Sequence, residues 1–119
     1  MKKVYVFLLA VCFSLGIAQA QQATKSELHQ RAESELQKGS VAGARFSFIR
    51  AFEDYTRQGQ LKVGMECATS GATLYYKDNF WKEAFDLLRR ADAEIDARSK
   101  NAKERAALHY IITKERLAM

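Results

Sequence analysis

Asn79-Phe80-Trp81-Lys82-Glu83-Ala84-Phe85-Asp86-Leu87-Leu88-Arg89-Arg90-Ala91 opens on turn-forming and aromatic residues, then places Ala84, Leu88 and Ala91 at steps of four and three. Those steps put the three side chains on one face of a helix. A face that is small at both ends and large in the middle lets a second helix approach closely. The stretch from Gly39 to Ala51 repeats the arrangement with Ala44, Phe48 and Ala51, each 40 positions before its counterpart. Two helices with the same neighbour requirement at a fixed period predict an all-α stack of repeats.

Length and composition agree with that reading. The chain has 119 residues, enough for one small domain. Apolar residues make up 48% and charged residues 28%, mixed in sign, which is globular rather than disordered composition. There is no proline, so nothing of that kind interrupts a helix. The formal charge of +5 includes Lys2 and Lys3; without them 17 basic residues stand against 14 acidic, a net +3. A nucleic-acid partner calls for a concentrated basic stripe, which this mild excess does not supply.

The first 20 residues read as a cleavable signal peptide. Lys2 and Lys3 form a positive start, Val4 to Ala18 is an uncharged and mostly apolar run, and Ala18-Gln19-Ala20 supplies a small-x-small cleavage pattern. The run is short for a bilayer span, which needs roughly 20 apolar residues. Val11 rather than a small residue precedes Cys12, which argues against a lipoprotein signal. Cleavage after Ala20 makes the product secreted or periplasmic, without a stable membrane span, and leaves Cys67 as its one cysteine. No intramolecular disulfide is then available, and Cys67 reads as a small buried apolar residue.

Residues 21–119 read as five helices. Thr24 with Glu27 fits a capping box, and the first helix runs from about Lys25 to Lys38 on Leu28, Ala32 and Leu36. Gly39 can end it in the left-handed conformation. Ser40 is placed to cap a second helix, Val41 to Arg57, whose stripe of Val41, Ala44, Phe48, Ala51 or Phe52, and Tyr55 is broadened by Phe46 and Ile49. Gln58-Gly59-Gln60 is a turn. The third helix, Leu61 to Lys77, carries Gly64, Ala68, Gly71 and Ala72 on one side. Interior glycines cost about 1 kcal/mol each relative to alanine, which predicts close backbone approach and the tightest packing of the set. Asp78 or Asn79 is placed to cap a fourth helix reaching about Ala97. After the polar connection Arg98-Ser99-Lys100-Asn101, Asn101 with Glu104 caps a fifth, with Leu108, Ile111, Ile112 and Leu117 as its apolar face. The order is hairpin (about 25–59), hairpin (60–99) and one further helix (100–119) with no mate to cover it.

These residues resemble the tetratricopeptide repeat family. Its second-helix pattern is met by Asn79-Phe80-Trp81-Lys82-Glu83-Ala84 with Leu88 and Ala91. Gly39-Ser40-Val41-Ala42-Gly43-Ala44 with Phe48 and Ala51 meets it again, Val41 standing for the aromatic. Ala32 and Ala72 occupy the small position of its first helix. The spacing departs from the family: 40 residues here against about 34, and the closing prolines are absent. The resemblance implies antiparallel helical hairpins and a concave surface lined by the first helix of each pair. It is similar also to the secreted sensory repeat regions of some bacterial regulators such as histidine kinases.

No catalytic motif is present: there is no G-x-S-x-G, no phosphate-binding glycine loop, no H-E-x-x-H and no paired C-x-x-C. No cofactor is expected, and the chain reads as non-enzymatic. Carrying the 40-residue offset through the first helices aligns His29 with Thr69 and His109, Glu33 with Thr73 and Thr113, and Leu36 with Tyr76. The resemblance turns these places toward the concave surface, so the expected protein- or peptide-binding residues are His29, Glu33, Thr69, Thr73, Tyr76, Lys77, His109 and Thr113. Two rival readings are self-association through the uncovered fifth helix and a metal or enzymatic site built on His29, Glu33 and His109. Asp92 and Asp96 read as a solvated face, Arg45, Arg50, Arg89 and Arg90 as partners of nearby acidic groups, and Phe80 and Trp81 as helix-packing residues.

Overall fold

The computed structural model describes residues 25–119; the signal segment, its cleavage position and Thr24 lie outside them. The described chain folds as α1 (Glu27–Gln37), α2 (Val41–Arg57), α3 (Leu61–Lys77), α4 (Trp81–Arg98) and α5 (Ala102–Ala118), with no strand among the described residues. Each helix packs on the next, and α5 lies against both α3 and α4. The result is a stack of antiparallel helical hairpins with α5 as the last described helix.

Tight turns explain the pairing and the period together. Gly39, Gly59 and Asn79 adopt φ of +83°, +81° and +66°. The following N–H then reaches five residues back: Ser40 to the Glu35 carbonyl at 2.8 Å, Gln60 to Tyr55 at 2.8 Å, and Phe80 to Tyr75 at 2.9 Å. A left-handed residue with this 6→1 bond closes a helix C-terminus. Asn79 therefore ends α3 and does not cap α4. Asparagine is among the few side-chain-bearing residues that tolerate the left-handed region, and the N-cap position passes to Phe80, where no side chain bonds. Ser40 likewise holds the N-cap position of α2 without a side-chain bond. With α2 and α3 each 17 residues long and the connections 58–60 and 78–80 minimal, the long period comes from long helices and not from long loops.

Two N-termini are capped by side chains. Ser26 Oγ accepts from the His29 N–H at 3.1 Å, so α1 starts at Glu27. Asn101 accepts from the Glu104 N–H at 2.8 Å, and Glu104 accepts from the Lys100 N–H at 3.0 Å. This is a close variant of the reciprocal pair expected there.

The repeat is written in the core. Ala44 and Ala84, Ala51 and Ala91, and the series Ala32, Ala72 and Ile112 are all wholly buried, with Phe48 and Leu88 filling the space between the alanines. α3 touches α2, α4 and α5, more neighbours than any other helix. Its glycines mark the contact: a Cβ on Gly71 would lie 3.2 Å from Leu87 Cδ2 of α4 and 3.3 Å from Ile49 Cγ1 of α2. Cys67 is buried as expected, and burial pushes its thiol up to about 12, leaving no thiolate for chemistry.

Three apolar residues fall elsewhere than expected. Phe46 is 61% and Leu117 82% exposed. Phe46 is two residues from both Ala44 and Phe48, and Leu117 is nine residues past Leu108. At about 100° per residue each points to the far side of its helix. Leu36, in the last turn of α1, is also exposed. Ala84 is the opposite case, wholly buried where α4 packs on its neighbours. Ala84→Leu is expected to destabilise the chain by about 1–3 kcal/mol, seen as a lower urea midpoint; an unchanged midpoint contradicts the close approach.

Candidate partner-binding groove

α3 and α5 run side by side in the same direction and meet at their C-terminal ends. Thr73 Oγ1 hydrogen-bonds Glu115, and Tyr76 donates its hydroxyl proton to the Met119 carbonyl at 2.7 Å. Toward their N-termini the two helices leave a groove between them. Its wide end has a volume of about 820 Å³ and is lined by Leu61, Lys62, Val63 and Glu66 of α3, by Ala107, Leu108 and Ile111 of α5, and by Lys100 and Glu104. A narrower continuation of about 360 Å³ shares Lys62, Glu66 and Ile111 with it and adds Thr69, Tyr110 and Lys114. The floor is apolar and the rim alternates Lys with Glu. Lys62, Lys100 and Lys114 form no ion pair among the described residues. Their ammonium groups are thus available to a ligand.

Of the residues expected at the binding surface, Thr69 lines this groove. Thr73 and Tyr76 stand at its closed end. The Tyr76 ring packs against Trp81 and Phe85, each with centroids 6.4 Å away, so Tyr76 ties α5 to the stack more than it faces a ligand. Lys77 and Thr113 are exposed and line none of the clefts described here. His29 and Glu33 belong to α1, and His109 turns toward α4, so the eight do not form one surface.

The offset of 40 identifies residues with the same role, whereas residues that touch across the groove are 42 and 43 apart, as in Thr73–Glu115 and Tyr76–Met119. Tyr110, Ile111 and Lys114 therefore face α3 where His109 and Thr113 were expected. The link before α5 is also different in kind. Ser99 and Asn101 are extended, in place of the left-handed turn that precedes α2, α3 and α4.

His29 is only 9% exposed and forms part of a structural tie. Tyr55 Oη accepts from the Ser26 N–H at 2.6 Å and lies 3.1 Å from His29 Nδ1. With Tyr55 donating to Nδ1, the Nε2–H points at Glu33 Oε1, 3.1 Å away, and Lys25 Nζ holds the same carboxylate oxygen at 2.6 Å. Burial lowers the His29 pKa, which favours the neutral ring that this hydrogen-bond order requires. Carboxylate, imidazole and hydroxyl in sequence have the connectivity of a nucleophilic triad. Tyr55 is 2% exposed, however, and neither it nor His29 lines a cleft described here, so the tie fastens α1 to α2. Among the described residues no group of three side chains is placed to hold a metal ion.

Asp92 and Asp96 are not a free solvated face. Both lie within hydrogen-bonding distance of His109, with Nδ1–Asp92 and Nε2–Asp96 each 2.7 Å, and Arg116 bonds Asp92 at 2.8 Å. Their spacing on α4 reads as surface charge until the helix opposite is known. The arginines do pair: Arg90 with Glu53 at 2.6 Å, Arg89 with Asp86 at 3.2 Å, Arg45 with Asp78 at 3.2 Å. Arg45 also lies over the Tyr75 and Phe80 rings. Arg50 lies over the Phe46 ring. Trp81 stacks on Tyr76 yet remains 55% exposed. Comparison of the chain with models of protein families, with characterised proteins and with solved structures returned no match.

Proposed function

We propose that this chain is an exported, non-enzymatic interaction module, built on tetratricopeptide-like hairpins, that captures an amphipathic segment of a protein partner in the α3–α5 groove. The observation that carries this is the groove itself. An apolar floor of Leu61, Val63, Leu108 and Ile111 is edged by Lys62, Lys100 and Lys114 and by Glu66 and Glu104. Such a floor takes apolar side chains, while the alternating rim fixes their register through charge. The histidines, the buried thiol and most arginines are already engaged within the fold, which leaves recognition rather than bond-making as the use of this surface. A place as the sensory part of a larger signalling protein, a histidine kinase among them, belongs to the same proposal and rests on the resemblance.

The test is selection of displayed random peptides against the purified chain, followed by affinity measurement. Ile111→Asp puts a charge on the groove floor and is expected to weaken a selected peptide at least tenfold, about 1.4 kcal/mol. Lys77→Ala and Thr113→Ala, outside the groove, leave affinity unchanged. Peptides that bind Ile111→Asp as well as the parent chain contradict the assignment.

Self-association is the second reading, favoured by Tyr110 and Leu117 on α5, 67% and 82% exposed. It predicts a dimer by light scattering that Leu117→Glu returns to monomer. A monomer at all accessible concentrations removes it.

A further inference from the structure

We propose that His109 is a proton-dependent latch that pins α5 against α4 and so holds one wall of the groove in place. Its two ring nitrogens each lie 2.7 Å from a carboxylate oxygen, Nδ1 from Asp92 and Nε2 from Asp96. Carboxylates accept and do not donate, and only the imidazolium carries two N–H donors. The geometry therefore suits the charged ring. A neutral ring keeps one donor and turns a bare nitrogen toward the other carboxylate. Arg116 takes the second oxygen of Asp92 at 2.8 Å, so two cations of α5 meet two acidic side chains one turn apart on α4.

The charged groups acting on the ring are Asp96 and Asp92, and together they hold its pKa above the ordinary histidine range, the Asp96 hydrogen bond contributing most. From α5, Arg116 reaches the same site through Asp92. From α3, the other helix packed on α5, the bonds run from Thr73 to Glu115 and from Tyr76 to Met119 and bring no charge to the ring. With the folded pKa raised, the latch contributes fully at acidic pH and is lost as pH rises through the folded value. α5 is thus firmly docked on the acidic side and loosens on the alkaline side.

The chain carries its own reporter. Trp81 is the one tryptophan, and its ring stands 6.4 Å from that of Tyr76, whose hydroxyl holds Met119 at the end of α5. The other histidine is displaced in the opposite direction, since burial lowers His29 below 6.5. A transition above 6.5 that depends on position 109 therefore belongs to the latch.

The experiment records Trp81 emission and thermal melting of the purified chain, with no partner present, between about pH 5 and pH 9. The parent chain is expected to show one emission transition above 6.5, with Tm falling as pH rises through it. His109→Gln is expected to abolish the transition and to melt at the alkaline value throughout. Asp96→Asn is expected to move the midpoint down, because it removes the largest cause of the raised pKa. Should His109→Gln fail to fold, Asp96→Asn decides alone. An unmoved midpoint, or a transition that survives His109→Gln, overturns the proposal. The consequence for partner capture rests on the groove assignment above. The readout uses no partner, so a failed peptide selection leaves the latch result standing, and a failed latch leaves the groove standing.

Discussion

Leu88→Ala is expected to lower the stability of the chain by about 2–5 kcal/mol, measured as a fall in the urea unfolding midpoint at unchanged slope. Leu88 is wholly buried between Ala84 and Ala91, on a face that Ile95 continues one turn further on. The alanines on either side are what bring the neighbouring helices close, and a close-set neighbour cannot move in further to fill the void. A cavity therefore remains, and the loss falls toward the upper part of the range. Against a total of about 5–15 kcal/mol for an ordinary domain, that is a large share. Phe46→Ala supplies the internal contrast. It removes a larger side chain, yet Phe46 projects to solvent from the outer side of α2, so the change stays within about 0.5 kcal/mol. A Leu88→Ala loss no larger than that of Phe46→Ala contradicts the packing described here.

The second large effect belongs to Gly71. A methyl at this position already meets Leu87 at 3.2 Å and Ile49 at 3.3 Å, on two different helices. Gly71→Leu has no direction in which to place its side chain, because α2 and α4 close on the same backbone segment. It is expected to cost about 1–3 kcal/mol or more through overpacking, with far-UV circular dichroism still helical and the melting transition broadened. Gly71→Ala is the milder companion. Its gain of about 1 kcal/mol in helix propensity opposes the tight contacts, so its net change is much smaller than that of leucine. Equal stability for glycine and leucine at position 71 means that α3 is not held where the fold places it.

The hairpin stack was legible because its signals are local and periodic. Ala44, Phe48 and Ala51 and their counterparts Ala84, Leu88 and Ala91 announce one packing geometry twice, and Gly39 announces a helix end. Asn79 was ambiguous because asparagine suits both an N-cap and a left-handed C-terminus. A three-residue connection decides for the latter. The groove was legible only in part. Thr69 follows from the repeat, whereas Tyr110, Ile111 and Lys114 depend on how α5 is rolled about its axis, and no short-range pattern records that. His29 was expected at the surface and is buried because Tyr55, 26 positions away, provides a hydroxyl for it. Asp92 and Asp96 are likewise uninformative until His109 and Arg116 arrive from the facing helix.

The groove is the central claim, and its most direct test is a ¹⁵N chemical-shift footprint of the chain titrated with a selected peptide. The account predicts that the largest shifts fall on Val63, Glu66, Thr69, Ala107, Tyr110 and Ile111, with Arg90 and Arg98, which line a separate cleft with residues of α2, unmoved. Shifts concentrated on Arg90 and Arg98, or on the exposed Phe46 side of α2, contradict it.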